Sequence, residues 1–157
     1  KRFPDDVLVR TTLADFHLTA GKHDKAASEY MEILRVTPDN VAALNNLAWV
    51  LAKTGKANEG LKHAKRAVEL APESPQVLDT LGTTQTAAGQ AKDAIQTLRN
   101  ASAKAPTDPT IQYHLAEALA KDGQTTEARD LLRNVLRERA PWPERSEAEG
   151  LLKQIGG

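Results

Sequence analysis

Residues 41–74 read VAALNNLAWVLAKTGKANEGLKHAKRAVELAPES. Before Gly55, the residues Leu44, Leu47, Ala48 and Leu51 recur at the spacing of one helical face. After it, Leu61, Ala64, Ala67, Val68 and Ala71 do the same. Gly55 stands where a left-handed residue would end the first helix. Pro72 closes the second, because proline cannot extend a helix from within. The stretch therefore reads as a helical hairpin packed through small and branched apolar side chains.

The hairpin recurs. Gly21, Gly55, Gly89 and Gly123 are each 34 residues apart, and so are Pro38, Pro72 and Pro106. A fixed period of this kind decides architecture before any local reading does. The units run 7–40, 41–74, 75–108 and 109–142. Ser74-Pro75 and Asp108-Pro109 place a capping residue before proline at the first helical position, and Asp39 and Asn40 give the second unit an equivalent start.

This pattern resembles the tetratricopeptide repeat (TPR) family across nearly the whole chain. The seventh and eighth positions of each unit hold a leucine and a small residue: Leu13-Ala14, Leu47-Ala48, Leu81-Gly82 and Leu115-Ala116. The twentieth holds Ala26, Gly60, Ala94 or Ala128. Small residues there let the two helices of a hairpin approach closely. The resemblance implies an all-α fold, a right-handed α-solenoid of four helix-turn-helix repeats. Arg10 and Gln112 at the fourth position, His17 and Gln85 at the eleventh, and Ala140 in place of the last proline depart from the family pattern.

Both ends carry information. From 143 to 155, Ala148, Leu151, Leu152 and Ile155 form one apolar stripe, with Glu144, Arg145, Glu147, Glu149 and Lys153 assigned to the outer face. This reads as a capping helix over the last repeat, with Trp142 anchoring the turn into it. Phe3 and Pro4 look like the end of a preceding repeat, so residues 1–157 are expected to form a single domain within a longer protein. The first hairpin would then expose apolar surface and invite end-to-end or domain-swapped pairing of an isolated piece.

Composition narrows the function. Lys plus Arg and Asp plus Glu number 21 each, which argues against nucleic acid and against a polybasic membrane surface. No apolar run approaches the ~20 residues that span a bilayer, so any membrane link would be indirect, through a larger parent protein. There are no cysteines. His17, His23, His63 and His114 include no pair at metal-ligand spacing on a helix. His17 reads as a packing residue, and His23 and His63 as solvent-side. No phosphate-cradling loop or nucleophile motif appears, and the acids alternate with Lys and Arg as solvated pairs. The chain reads as non-enzymatic, with no cofactor.

In the family the first helix of each hairpin lines a concave face. By that resemblance the first unit presents Leu8, Thr11, Asp15, Leu18 and Thr19, and the second Asn45, Asn46, Trp49 and Lys53. The third presents Gln76, Asp79, Thr80, Thr83 and Thr86, and the fourth Tyr113, His114, Glu117 and Lys121. Of these, Thr11, Asp15, Asn45, Asn46, Trp49, Lys53, Asp79, Thr83, Tyr113, Glu117 and Lys121 are the candidate partner-binding residues. Asn offers donor and acceptor to a peptide backbone. Trp and Tyr supply contact area at low entropic cost. Two alternatives stay open: Trp49 and Tyr113 as packing residues between hairpins, and Asp79 and Glu117 as ordinary solvated acids. One family function is disfavoured. Gripping the C-terminal carboxylate of heat-shock chaperones needs Lys, Asn, Asn, Lys and Arg where this chain has Thr11, Asp15, Asn46, Gln76 and Thr80, and only Asn46 fits. The alternative frame, Asn45, Trp49, Thr80, Thr110 and His114, fits worse.

The strings NNLAWVLAKTG, AVELAPESPQVLDTLG, YHLAEALAKDG and PERSEAEGLLKQI are similar to the C-terminal repeats of bacterial TPR lipoproteins accompanying exosortase (PEP-CTERM) and exopolysaccharide gene sets. That resemblance implies a scaffold in periplasmic or cell-envelope assembly. The leading expectation is a protein or peptide partner on the concave face. The alternative is a glycan-binding arm using Trp49, Tyr113 and the Asn and Thr residues.

Overall fold

The computed structural model describes residues 6–137 and 141–156. Among them every regular element is a helix. α1 (Val7–Thr19) pairs with α2 (His23–Val36), α3 (Val41–Lys53) with α4 (Ala57–Leu70), α5 (Pro75–Ala87) with α6 (Ala91–Lys104), and α7 (Pro109–Lys121) with α8 (Thr125–Val135). α9 (Arg145–Gly156) follows. Successive hairpins stack through α2 on α3, α4 on α5 and α6 on α7, and α3, α5 and α7 also touch one another in sequence. This is an all-α helical-repeat solenoid.

The punctuation falls where the sequence places it. Asp6, Asn40, Ser74 and Asp108 cap α1, α3, α5 and α7 by accepting from backbone N–H groups of the first turn. The break within a hairpin is a Schellman turn. Lys56 N–H donates to the Leu51 carbonyl (2.8 Å) and Gly55 N–H to that of Ala52 (3.4 Å), with Gly55 at φ 78°. A Cβ at Gly55 would touch nothing within 4 Å, so the requirement for glycine is conformational. Gly82 is the opposite case: it is helical, and a Cβ there would collide with the Leu98 side chain of α6. The small residue at this position sets how closely α5 and α6 approach.

Leu47, Val50, Tyr30, Ile33, Leu98, Leu119 and Leu132 are almost fully buried between helices. Two of the polar departures, Arg10 and Gln112, have local explanations. Arg10 pairs with Glu29 across the first hairpin at 2.8 Å, and Gln112 donates to the Ser102 hydroxyl (2.8 Å) and the Pro106 carbonyl (3.1 Å). Outer-face ion pairs such as Arg66–Asp39 and Arg99–Glu127 join adjacent hairpins. Ala140 lies outside the described residues, as do Phe3 and Pro4.

The terminal helix begins two residues later than the expected 143, because Trp142 to Glu144 form the turn into it, closed by Arg145 N–H on the Trp142 carbonyl (3.2 Å). Ala148 is fully buried against α7 and α8, with Leu151, Leu152 and Ile155 partly buried around it. Glu144 and Glu147, assigned above to the outer face, instead line a groove shared with α7. His23 and His63 are half-buried, not solvent-side. The His23 ring stands edge-on to Trp49, with centroids 6.0 Å apart. Burial pushes the His63 pKa down, Lys62 adds to the effect and Glu59 opposes it.

Candidate functional site

The stacking of α3, α5 and α7 places their ninth and thirteenth positions in adjacent rows. Trp49, Lys53, Thr83, Glu117 and Lys121 fall on those rows, and Tyr113 lies one turn earlier on α7. Together with Thr86, His114, Glu144 and Glu147 they border one groove of about 260 Å³. Trp49 is half-buried. It packs partly against the first hairpin's core and partly borders the groove, so packing and exposure are not exclusive. Lys53 Nζ sits 5.6 Å from the Trp49 ring centroid, a cation–π contact. Lys121 and Glu117 form an i,i+4 pair at 3.0 Å. A larger cavity of about 380 Å³ lies between the α6–α7 turn and α8 and contains none of the expected binding residues.

Asp79 sits beside this groove without lining it. Both its carboxylate oxygens lie 2.8–2.9 Å from His114 Nδ1, tying α5 to α7. Burial works against a charge on His114. The Asp79 hydrogen bond and charge, with smaller contributions from Glu144 and Glu117, outweigh it and hold the pKa above the ordinary imidazole value. Tyr113 is half-buried between His114 and Trp142, with ring centroids 5.4 and 6.0 Å away. Desolvation, then Glu117, Glu147 and Glu144, push its phenol up to about 12. Thr80 and Thr86, expected to face inward, are buried. The Thr86 hydroxyl is spent on the Gly82 carbonyl (2.8 Å), and the Thr80 carbonyl accepts from Thr84 (2.6 Å).

The remaining candidates lie apart from this groove. Asn45 donates to Asn46 (3.3 Å), Asn46 to the Tyr30 hydroxyl (3.2 Å), and that hydroxyl to Asp15 (3.5 Å), a polar chain across α1, α2 and α3. Burial raises the Tyr30 pKa; the Asn46 bond opposes this and Asp15 reinforces it. The Thr11 hydroxyl turns back to its own helix at the Val7 carbonyl (2.8 Å). Sequence reasoning missed Glu144 and Glu147 as groove residues. Only the docking of α9 brings them there.

Among the described residues no cluster of three or more His, Cys, Asp or Glu side chains is placed to hold a metal ion. No helix there is long and apolar enough to cross a membrane.

The tetratricopeptide repeat family model matches residues 7–140. The chain belongs to the tetratricopeptide repeat family. Among solved structures, a thermophilic TPR protein of Thermus thermophilus, TTC0263, superposes with a TM-score of 0.82 at 19% identity over 95% of this chain and 80% of that one. Residues 41 to the end of MamA from Desulfovibrio magneticus give 0.76 at 19% identity over 97% and 84%. A Thermobaculum terrenum O-GlcNAc transferase mutant gives 0.79 at 22% identity over 91% of this chain but only 29% of its own. At these identities the likeness is one of fold. No curated protein matches the chain.

Proposed function

We propose that this TPR chain is a non-catalytic scaffold whose concave groove holds a segment of a partner protein. One observation carries the reading: Trp49 and Tyr113, from hairpins two apart, border the same groove with Lys53, Thr83, Glu117 and Lys121. Large rings flanked by polar groups are the usual makeup of interface anchors. The string resemblance supports a setting in bacterial envelope or exopolysaccharide assembly. The test is affinity capture from a bacterial envelope extract with the wild-type chain and Trp49→Ala. Capture is expected to fail with the variant while its circular dichroism stays helical; equal capture by both would sink the reading. The same two rings support a second reading, a glycan-binding arm. Loss of polymer retention alone, with protein capture intact, would favour it.

The solenoid's first face is a different surface. Leu8, Val9, Leu13 and Phe16 of α1 are exposed, and we propose that an isolated copy pairs with a second through them. Phe16→Ser is expected to shift sedimentation toward monomer. An unchanged association constant would refute the pairing.

A further inference from the structure

The two large rings of the groove differ in their electrostatic surroundings. Trp49 has its own cation, Lys53. No cation–π partner stands over Tyr113 among the described residues, and the charges acting on it are the carboxylates of Glu117, Glu144 and Glu147. Glu117 is engaged by Lys121 (3.0 Å), and Glu144 accepts from the Thr110 hydroxyl (3.3 Å). Glu147 is exposed and has no ion-pair partner among the described residues.

A second observation points to the same end of the groove. His114 is only 7% exposed yet borders it. Its Nδ1 is committed to Asp79 at 2.8 Å. Its other ring nitrogen, Nε2, makes no hydrogen bond among the described residues. With Nδ1–H donated to Asp79, a neutral ring offers the Nε2 lone pair as an acceptor. Carboxylates, an imidazole acceptor and an aromatic face thus meet within one concave site.

We infer that this end of the groove takes an arginine side chain of the bound partner, its guanidinium over the Tyr113 ring and its N–H groups directed to Glu144, Glu147 and His114 Nε2. The inference rests on the scaffold reading and adds the chemistry of the bound segment. Arginine fits better than lysine because its planar group stacks on a ring while its several donors reach several acceptors. Lys53, already over the Trp49 ring on α3, disfavours a second cation there, so the site also orients the segment. The groups facing His114 are Asp79 from α5, Tyr113 and Glu117 from α7, and Glu144 at the entry to α9. Protonating His114 turns Nε2 into a donor and adds a positive charge, so acid weakens arginine binding.

The test is a titration of the isotope-labelled chain with Nα-acetyl-arginine amide, followed by NMR, with the neutral citrulline analogue as control. Shifts are expected at Tyr113, His114 and Glu147 with the arginine compound only. Glu144→Gln with Glu147→Gln is expected to weaken binding about fivefold, and so is lowering the pH from about 8 to about 6. Equal shifts from the citrulline compound, or unchanged binding by the double variant, would overturn the assignment. If Trp49→Ala abolishes partner capture while the double variant binds arginine amide as tightly as wild type, the scaffold reading stands and the arginine site falls. If arginine amide binds as expected but no partner is captured, the reverse holds.

Discussion

The same three positions of the repeat meet opposite fates at the first hairpin and in the later ones. Leu13 is 42% exposed, whereas Leu47 at the equivalent place is fully buried. Phe16 is 63% exposed, whereas Val50, Thr84 and Ala118 are fully buried. Val9 likewise is exposed, while Ala43, Val77 and Ile111 are not. The difference lies in the neighbour. From α3 onward each of these side chains packs onto the preceding hairpin, and on α1 no described element covers it. At the other end α9 does the covering: Ala148 is buried and the outer face of that helix is polar. In a solenoid, burial belongs to the interface between units and is inherited only when a neighbour is present.

The sharpest way to test that contrast is to make one substitution in both contexts. Leu47→Ala is expected to cost about 2–5 kcal/mol, transfer plus cavity. Leu13→Ala is expected to cost no more than about 0.5 kcal/mol. Urea unfolding followed by circular dichroism measures both. Similar losses would mean that α1 is covered in solution, and comparing dilute with concentrated samples would show whether a second copy covers it.

How much of this was legible beforehand follows the same division. Gly55, Pro72, Ser74 and Asp108 act on the backbone within a few residues of themselves, so the hairpin boundaries could be read directly. The identity of the groove residues was partly legible, since Trp49, Thr83, Glu117 and Lys121 follow from repeat register. Asn46 is instead absorbed by Tyr30 and Asn45 by Asn46, contacts that depend on how α2 leans on α3. The Asp79–His114 bond spans 35 residues and joins two units, which periodicity within a unit does not reveal. Glu144 and Glu147 lie outside the repeat, and their place depends on the docking of α9.

A smaller effect is expected from the Asp79–His114 pair, which belongs to the well-covered half of the molecule. Because the folded pKa of His114 lies above its ordinary value of 6.5, its ion pair stabilises the fold in full below about pH 6.5. That stabilisation is lost as pH rises through the folded value. Thermal melts of wild type from pH 6 upward should show this decline, and Asp79→Asn should flatten it. An unchanged slope in the variant would show that His114 gains nothing from Asp79.

The finest contrast is between the chain's two tyrosines, one in the first hairpin and one in the last. Tyr30 is almost fully buried, yet Asn46 donates to its oxygen and so favours the phenolate, offsetting part of the burial. Tyr113 is less buried and has no such donor among the described residues; three carboxylates add to its desolvation and push it up to about 12. An ultraviolet titration should therefore show Tyr113 as the later of the two to ionise. Glu144→Gln with Glu147→Gln should bring Tyr113 down while leaving Tyr30 where it was, because those carboxylates act only at the α9 end. If the double variant left both transitions in place, burial and Glu117 would account for Tyr113, and the part assigned to Glu144 and Glu147 at that end of the groove would lose its support.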